Sequence, residues 1–179
     1  MSDRYDNKYP SVTEIIPKPE FYCTPEQLEA ARNEGIDIHA DIKLFLDTGD
    51  TFDIPHIETF KRFMAENEKT LGALLIYEKA LTSDKLQFNG RPDLVFEKGI
   101  VDIKRSMGNP KLLALQTAGY NLLCRGLKIV STKKWYILVI NGENYTFKNV
   151  FNSQAAQIFL SLLARRRIDI AIENYFKTV

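Results

Sequence analysis

Two aspartates constrain this chain more than any other feature. Asp102 stands inside the apolar run Ile100-Val101-Asp102-Ile103-Lys104, and Asp93 precedes it by nine positions in Gly90-Arg91-Pro92-Asp93-Leu94-Val95-Phe96. Both runs read as short strands, joined by the Glu97-Lys98-Gly99 turn. Successive side chains of a strand alternate faces, so Asp102 and Lys104 point the same way, roughly 6 to 7 Å apart, while Ile103 points into the core. A carboxylate buried in an apolar strand is costly unless a cation answers it. The expectation is one small site holding two carboxylates and an ammonium. The plainer alternative leaves Asp93 ending a turn after Pro92, with Asp102 and Lys104 an ordinary charge pair.

Around this point the pattern predicts a sheet flanked by helices. Thr24-Pro25-Glu26-Gln27 reads as a helix start, with Thr24 capping, Pro25 at the first helical position and Gln27 completing a capping box. Gly35 reads as the break in that helix. A second helix follows through Ile38, Ile42, Phe45 and Leu46 to Gly49, and a third over Pro55 to Asn67 carries Ile57, Phe60, Phe63 and Met64. Leu71 to Leu81, Lys85 to Phe96 and Gly99 to Lys104 read as a strand meander. Pro110 to about Arg125 is helical. Lys134 to Ile140 and Tyr145 to Val150 read as strands around Asn141-Gly142-Glu143-Asn144. Ser153 to Phe176 reads as a long helix with Ile158, Leu162, Leu163 and Ile170 on its apolar side.

The chain has 179 residues, 45% of them hydrophobic, which suffices for one domain with a sizeable core, preceded by an arm over about residues 1–20. The longest apolar runs, Ile137 to Ile140 and Ile158 to Leu163, fall far short of a membrane span, and Met1 to Tyr9 is unlike a signal sequence. A soluble, cytoplasmic protein is expected. Cys23 and Cys124 are the only cysteines, without metal-ligand spacing, so structural zinc is not expected. A net charge of +1 gives no global pull on a polyanion. Binding to nucleic acid would rest on local patches such as Lys104-Arg105, Lys133-Lys134 and Arg165-Arg166-Arg167.

Asp93 and Asp102 have the chemistry of ligands for magnesium or manganese, which prefer oxygen donors and keep several waters. The backbone carbonyl of Ile103 is a further expected donor. Lys104, beside such an ion, can orient or deprotonate a nucleophilic water and touch a phosphate.

These residues resemble the PD-(D/E)xK nuclease superfamily and, within it, the RecB-like exonuclease branch found in phages and recombination enzymes. Pro92-Asp93 and Asp102-Ile103-Lys104 match the defining motif. Gly35-Ile-Asp-Ile-His39 matches an upstream helical histidine of that branch, Gln116-Thr-Ala-Gly-Tyr120 its glutamine and tyrosine four apart, and Pro10-Ser-Val-Thr-Glu-Ile also looks familial. The likeness runs from about Pro10 to about Leu123. It implies an α/β, restriction-endonuclease-like core with a mixed central sheet flanked by helices. It further implies Asp93, Asp102 and Lys104 as catalytic residues, His39 as a metal ligand, Glu78 as a further acidic ligand, and Gln116 and Tyr120 as supports of the site or the DNA strand. Arg105 follows the lysine where many relatives carry a small hydroxyl residue, and it is a candidate substrate contact. An iron-sulfur cluster, which some relatives hold with four cysteines, is not expected.

The function so implied is a Mg2+- or Mn2+-dependent deoxyribonuclease, an exonuclease of phage or prophage recombination or DNA processing. DNA is its expected partner, together with a recombination or single-strand-annealing protein, and oligomers are compatible with it. The chain has no GxxxxGKS motor motif. Two alternatives share the fold: a catalytically inactive nucleic-acid-binding subunit, and a restriction-like endonuclease.

Overall fold

Proline starts three of the helices, where its missing N–H costs nothing and its fixed φ suits the first turn. The computed structural model describes residues 8–18, 24–50 and 54–177. In chain order the elements are α1 (Val12–Ile15), α2 (Pro25–Thr48), α3 (Pro55–Leu71), β1 (Leu74–Tyr77), β2 (Leu81–Ser83), β3 (Phe88–Gly90), β4 (Leu94–Phe96), β5 (Ile100–Lys104), α4 (Pro110–Gly126), β6 (Trp135–Asn141), β7 (Asn144–Asn149) and α5 (Ala155–Lys177). Pro25, Pro55 and Pro110 open α2, α3 and α4. The capping box forms as expected: Gln27 N donates to Thr24 Oγ1 at 3.3 Å and Thr24 N to Gln27 Oε1 at 3.1 Å.

Gly35 does not break the helix. α2 runs through it to a cap at Gly49, which takes the left-handed φ of +74°. An interior glycine costs only about 1 kcal/mol against alanine. That is less than α2 gains by burying Ile38 and Ile42 with Ile57, Phe60 and Phe63 of α3. The expected arm is represented by α1, whose Val12 and Ile15 are buried. Residues 1–7 of that arm, and Cys23, lie outside the described residues.

The fold is α/β, with a mixed five-stranded sheet in the order β1-β4-β5-β6-β7 flanked by helices. β5 and β6 are parallel and the other neighbouring pairs antiparallel. A parallel pair needs a crossover, and α4 supplies it. The expected continuous meander is corrected. β1 pairs directly with β4, and the chain between them leaves the sheet as the small β2/β3 hairpin. The reason is packing: Leu81 and Phe88 of the hairpin are buried beside α1 and α4, with the Phe88 ring tilted against Phe159 of α5 at a centroid distance of 5.2 Å.

The sheet divides two apolar cores, and the side chains of β4, β5 and β6 alternate between them, while in β1 a register shift between Leu74 and Ile76 interrupts the alternation. Val95, Ile100, Trp135 and Ile137 face α4 and α5. Leu94, Phe96, Val101, Ile103, Leu138 and Ile140 face α2 and α3. The inner side of α5 is carried by Ala155, Phe159 and Leu163, whereas Ile158, expected on that side, is exposed. Among the described residues no helix is long and apolar enough to cross a membrane.

Candidate functional site

Strand direction gathers the site at one edge of the sheet. β4 runs antiparallel to both β1 and β5, with Leu94 opposite Tyr77 and Val101. The end of β1, the start of β4 and the end of β5 therefore meet. Glu78 follows β1, Asp93 precedes β4, and Asp102 and Lys104 close β5. α2 brings His39 from one face of the sheet and α4 brings Gln116 from the other.

His39 is the hub on the α2 side. Its Nδ1 lies 2.7 Å from Glu78 Oε1 and 3.7 Å from Asp93 Oδ1, and its Nε2 donates to the Ile103 carbonyl at 3.2 Å. Asp93, buried, accepts the Ile103 amide on Oδ2 at 2.6 Å. Glu78 takes φ of +44°, in the left-handed region, while its N–H donates to the Asp93 carbonyl at 2.9 Å. A non-glycine residue held there costs of order 1 kcal/mol or more, and such residues concentrate at functional sites.

On the α4 side the fully buried Asp102 carboxylate is shared. Oδ1 accepts from Gln116 Nε2 at 3.1 Å, and the same amide reaches the Tyr120 hydroxyl at 3.1 Å. Oδ2 pairs with the Lys104 ammonium at 2.6 Å, at an angle off the line of a hydrogen bond, so part of its acceptor capacity remains unused.

Charge is concentrated and mutually compensating. Burial alone would lower the His39 pKa, but the hydrogen bond that its Nδ1–H donates to Glu78 and the charges of Asp93, Glu78 and Asp102 override it and raise the value to about 9. Burial and the nearby Asp102 push Asp93 up to about 8 against the pull of His39 and Lys104. Lys104 is raised as well: burial opposes its charge, and Asp102 and Asp93 more than offset that. The ammonium stays charged at neutral pH.

The donor set fits a divalent ion. His39, Glu78 and Asp93 each offer one ligand atom, all within 4.8 Å of one another. Adjacent ligands of an octahedral ion with bonds of about 2.1 Å stand about 3 Å apart, which the 2.7 and 3.7 Å separations from His39 Nδ1 bracket. In the structure as it stands, the protonated imidazole holds these oxygens together.

A cavity of about 750 Å3 opens over the group, lined by His39, Glu78, Asp93, Lys104 and Gln116 among others. Arg91 and Arg105 also line it. Arg91, to which the sequence reading gave no role, has its guanidinium 4.0 Å from Glu78 Oε2. Its place directly before Pro92-Asp93 was the available signal. Arg105 is paired at the rim with Glu34 of α2.

The expected residues thus fall into two linked clusters. His39, Glu78 and Asp93 form the group with metal-ligand spacing. Asp102, Gln116 and Tyr120 form a buried hydrogen-bonded group behind it, and the half-buried Lys104 pairs with Asp102 while lining the cavity. The Ile103 carbonyl, expected to face an ion, here receives His39, and Arg105 stands at the mouth. His56, given no function, pairs with Asp41 at 2.9 Å. No protein-family model matches the chain, and neither does any curated protein.

Proposed function

We propose that the protein is a Mg2+- or Mn2+-dependent deoxyribonuclease with a restriction-endonuclease-like core, of the RecB-like PD-(D/E)xK type, acting as an exonuclease in DNA recombination or processing. One observation carries the reading. A histidine and two carboxylates at metal-ligand spacing share a 750 Å3 cavity with a charged lysine paired to a buried aspartate.

His39, Glu78 and Asp93 would hold the ion, which would supply charge neutralisation at the phosphate and acidification of a water. Asp102 keeps Lys104 protonated, so Lys104 serves as a fixed cation for a non-bridging phosphate oxygen and for the oriented water, rather than as a base. Gln116 locks the Asp102 carboxylate, and Tyr120 locks Gln116. Positioning of this kind matters because a misplacement of about 1 Å can cost two orders of magnitude in rate. Arg91 braces Glu78 and presents positive charge to the incoming strand.

The test is digestion of end-labelled linear DNA and closed circular DNA with and without Mg2+ or Mn2+. Metal-dependent loss of the linear form with the circle spared is expected, and the Asp93→Asn variant should lose it. Equal cutting of the circle would favour an endonuclease. Metal-tightened binding without cleavage would favour an inactive binding subunit.

A further inference from the structure

The last helix has two apolar faces, and the core uses one of them. Ala155, Phe159 and Leu163 of α5 are buried against the body of the fold, and among the described residues none after Leu163 is buried. At 3.6 residues per turn, Ser161, Ala164, Ile168, Ile172 and Tyr175 recur at steps of three or four and form a stripe on the opposite side. All five are exposed. Ile168, Ile172, Tyr175 and the neighbouring Phe176 are 51–73% exposed. The turns beyond Leu163 therefore lack the buried face that normally holds a helix, and they present bulky side chains to water.

The stripe is graded in size. Its inner half is small, with Ser161 and Ala164, its outer half is large, with Ile172 and Tyr175, and Ile168 stands between them. Two copies laid antiparallel about a two-fold axis at Ile168 set each residue opposite one of complementary size. Ile168 meets the partner's Ile168, Ile172 lies over the partner's Ala164, and Tyr175 over the partner's Ser161. Large facing small is how packed layers interdigitate.

Charge favours the same arrangement. Arg165 and Asp169 are exposed one turn apart on one flank of the stripe, while Arg166 is turned to Glu173 of its own helix at 3.0 Å. A two-fold contact places the same flanks together, so Arg165 comes within a turn of the partner's Asp169, and the pair occurs twice. Parallel pairing does neither: it sets Tyr175 on the partner's Tyr175 and Arg165 beside the partner's Arg165.

The area is sufficient. Aromatic side chains carry about 150–250 Å2 each, so the four bulky residues leave roughly 500 Å2 of surface per chain, the size of patch that marks an interaction site. Two copies bury roughly 1,000 Å2, which is where specific interfaces begin and where weak, reversible ones lie.

We propose that α5 pairs with α5 of a second copy of this chain, antiparallel and centred on Ile168, to give a reversible homodimer. The dimer does not depend on the nuclease reading, because the paired face lies on the side of α5 turned away from the core.

The experiment is sedimentation velocity of the full chain from about 1 to 200 µM, bracketing the Kd of order 10 µM that an interface of this size supports. A monomer–dimer equilibrium is expected. Ile168→Glu, which sets two carboxylates together on the axis, should weaken it by about ten-fold or more. Because Ile168 is exposed in the single chain, the circular dichroism of that variant should match the original. Arg165→Asp and Asp169→Arg should each weaken the dimer by about three-fold, and the two together should restore it. A chain that is monomeric at every concentration overturns the proposal and leaves this face to a different occupant. An oligomer that Ile168→Glu does not weaken, or a charge-reversed double variant no tighter than the single ones, overturns it as well.

Discussion

The Nε2 of His39 donates to the carbonyl of Ile103 at 3.2 Å, and this bond decides which ring nitrogen faces the acidic cluster. A carbonyl can only accept, so Nε2 carries a proton and Nδ1 is turned toward Glu78 and Asp93. The strand that carries Asp102 and Lys104 thereby orients the histidine contributed by α2. An ion entering the cluster must displace the Nδ1 proton of His39 and the proton of Asp93.

Metal affinity should therefore rise steeply with pH. Below the values of about 9 for His39 and about 8 for Asp93, each bound ion releases up to two protons. Apparent affinity for Mn2+ should climb toward about a hundred-fold per pH unit between pH 6 and 7.5, then flatten above pH 9. Calorimetry in buffers of different ionisation enthalpy counts the protons. A pH-independent affinity with no proton release would contradict the assigned donors.

Stability of the metal-free chain should move the opposite way. His39 keeps a proton to about pH 9 that the unfolded chain gives up near 6.5, and Asp93 keeps one to about pH 8 that the unfolded chain gives up near 3.8. Where the folded state binds more protons, stability falls as pH rises. The contribution of His39 is complete below pH 6.5 and lost by about 9, and that of Asp93 fades through about 8. Tm in EDTA should fall by several degrees from pH 6.5 to 9, and saturating Mn2+ should reduce that fall, as calorimetric scans can show.

The Lys104–Asp102 pair should separate chemistry from folding. Lys104→Met strands a fully buried carboxylate, and Asp102→Asn takes from the half-buried ammonium its paired oxygen. Breaking a buried pair from one side costs about 3 kcal/mol or more, whereas removing both charges together costs much less. Denaturant titration should find the double variant more stable than either single one. Hydrolysis should fall by about a hundred-fold or more in all three, since the cation facing the phosphate is lost or misplaced.

The legible part of this fold was local. Pro25, Pro55 and Pro110 marked helix starts, Asn141 to Asn144 marked the β6/β7 hairpin, and alternation in Ile100 to Lys104 put Ile103 in the core and Asp102 beside Lys104. What was hidden depends on partners distant in sequence. Gly35 carries a breaker's signal, yet α3 holds the helix through it. Leu74 to Tyr77 is apolar and Ala80-Leu81 resumes after Glu78-Lys79, so the run reads as one strand although the chain leaves the sheet at Glu78. The candidate site has the same character. Motif letters identified Asp93, Asp102 and Lys104, but only the crossing of α2 over the sheet edge pairs His39 with Glu78, and only α4 supplies the amide that holds Asp102.

Packing beneath the site makes its own demand. A Cβ on Gly119 would stand 2.7 and 2.8 Å from the Phe159 ring and 3.1 Å from Val12 Cγ1, where α4, α5 and α1 meet. Gly119→Ala should destabilise the chain by about 1–3 kcal/mol, measured by denaturant midpoint. An unchanged midpoint would mean that these elements pack less closely than described.

Titration of Mn2+ by electron paramagnetic resonance, with release of nucleotides from linear DNA followed in the same samples, tests whether the ion held by His39, Glu78 and Asp93 drives hydrolysis. Mn2+ should bind tightly, Glu78→Gln and Asp93→Asn should each weaken it by about ten-fold or more, and hydrolysis should track occupancy. Lys104→Met should retain the bound ion while losing hydrolysis. Hydrolysis that persists in the Asp93→Asn and Lys104→Met variants, or Mn2+ binding indifferent to Glu78 and Asp93, would contradict that role.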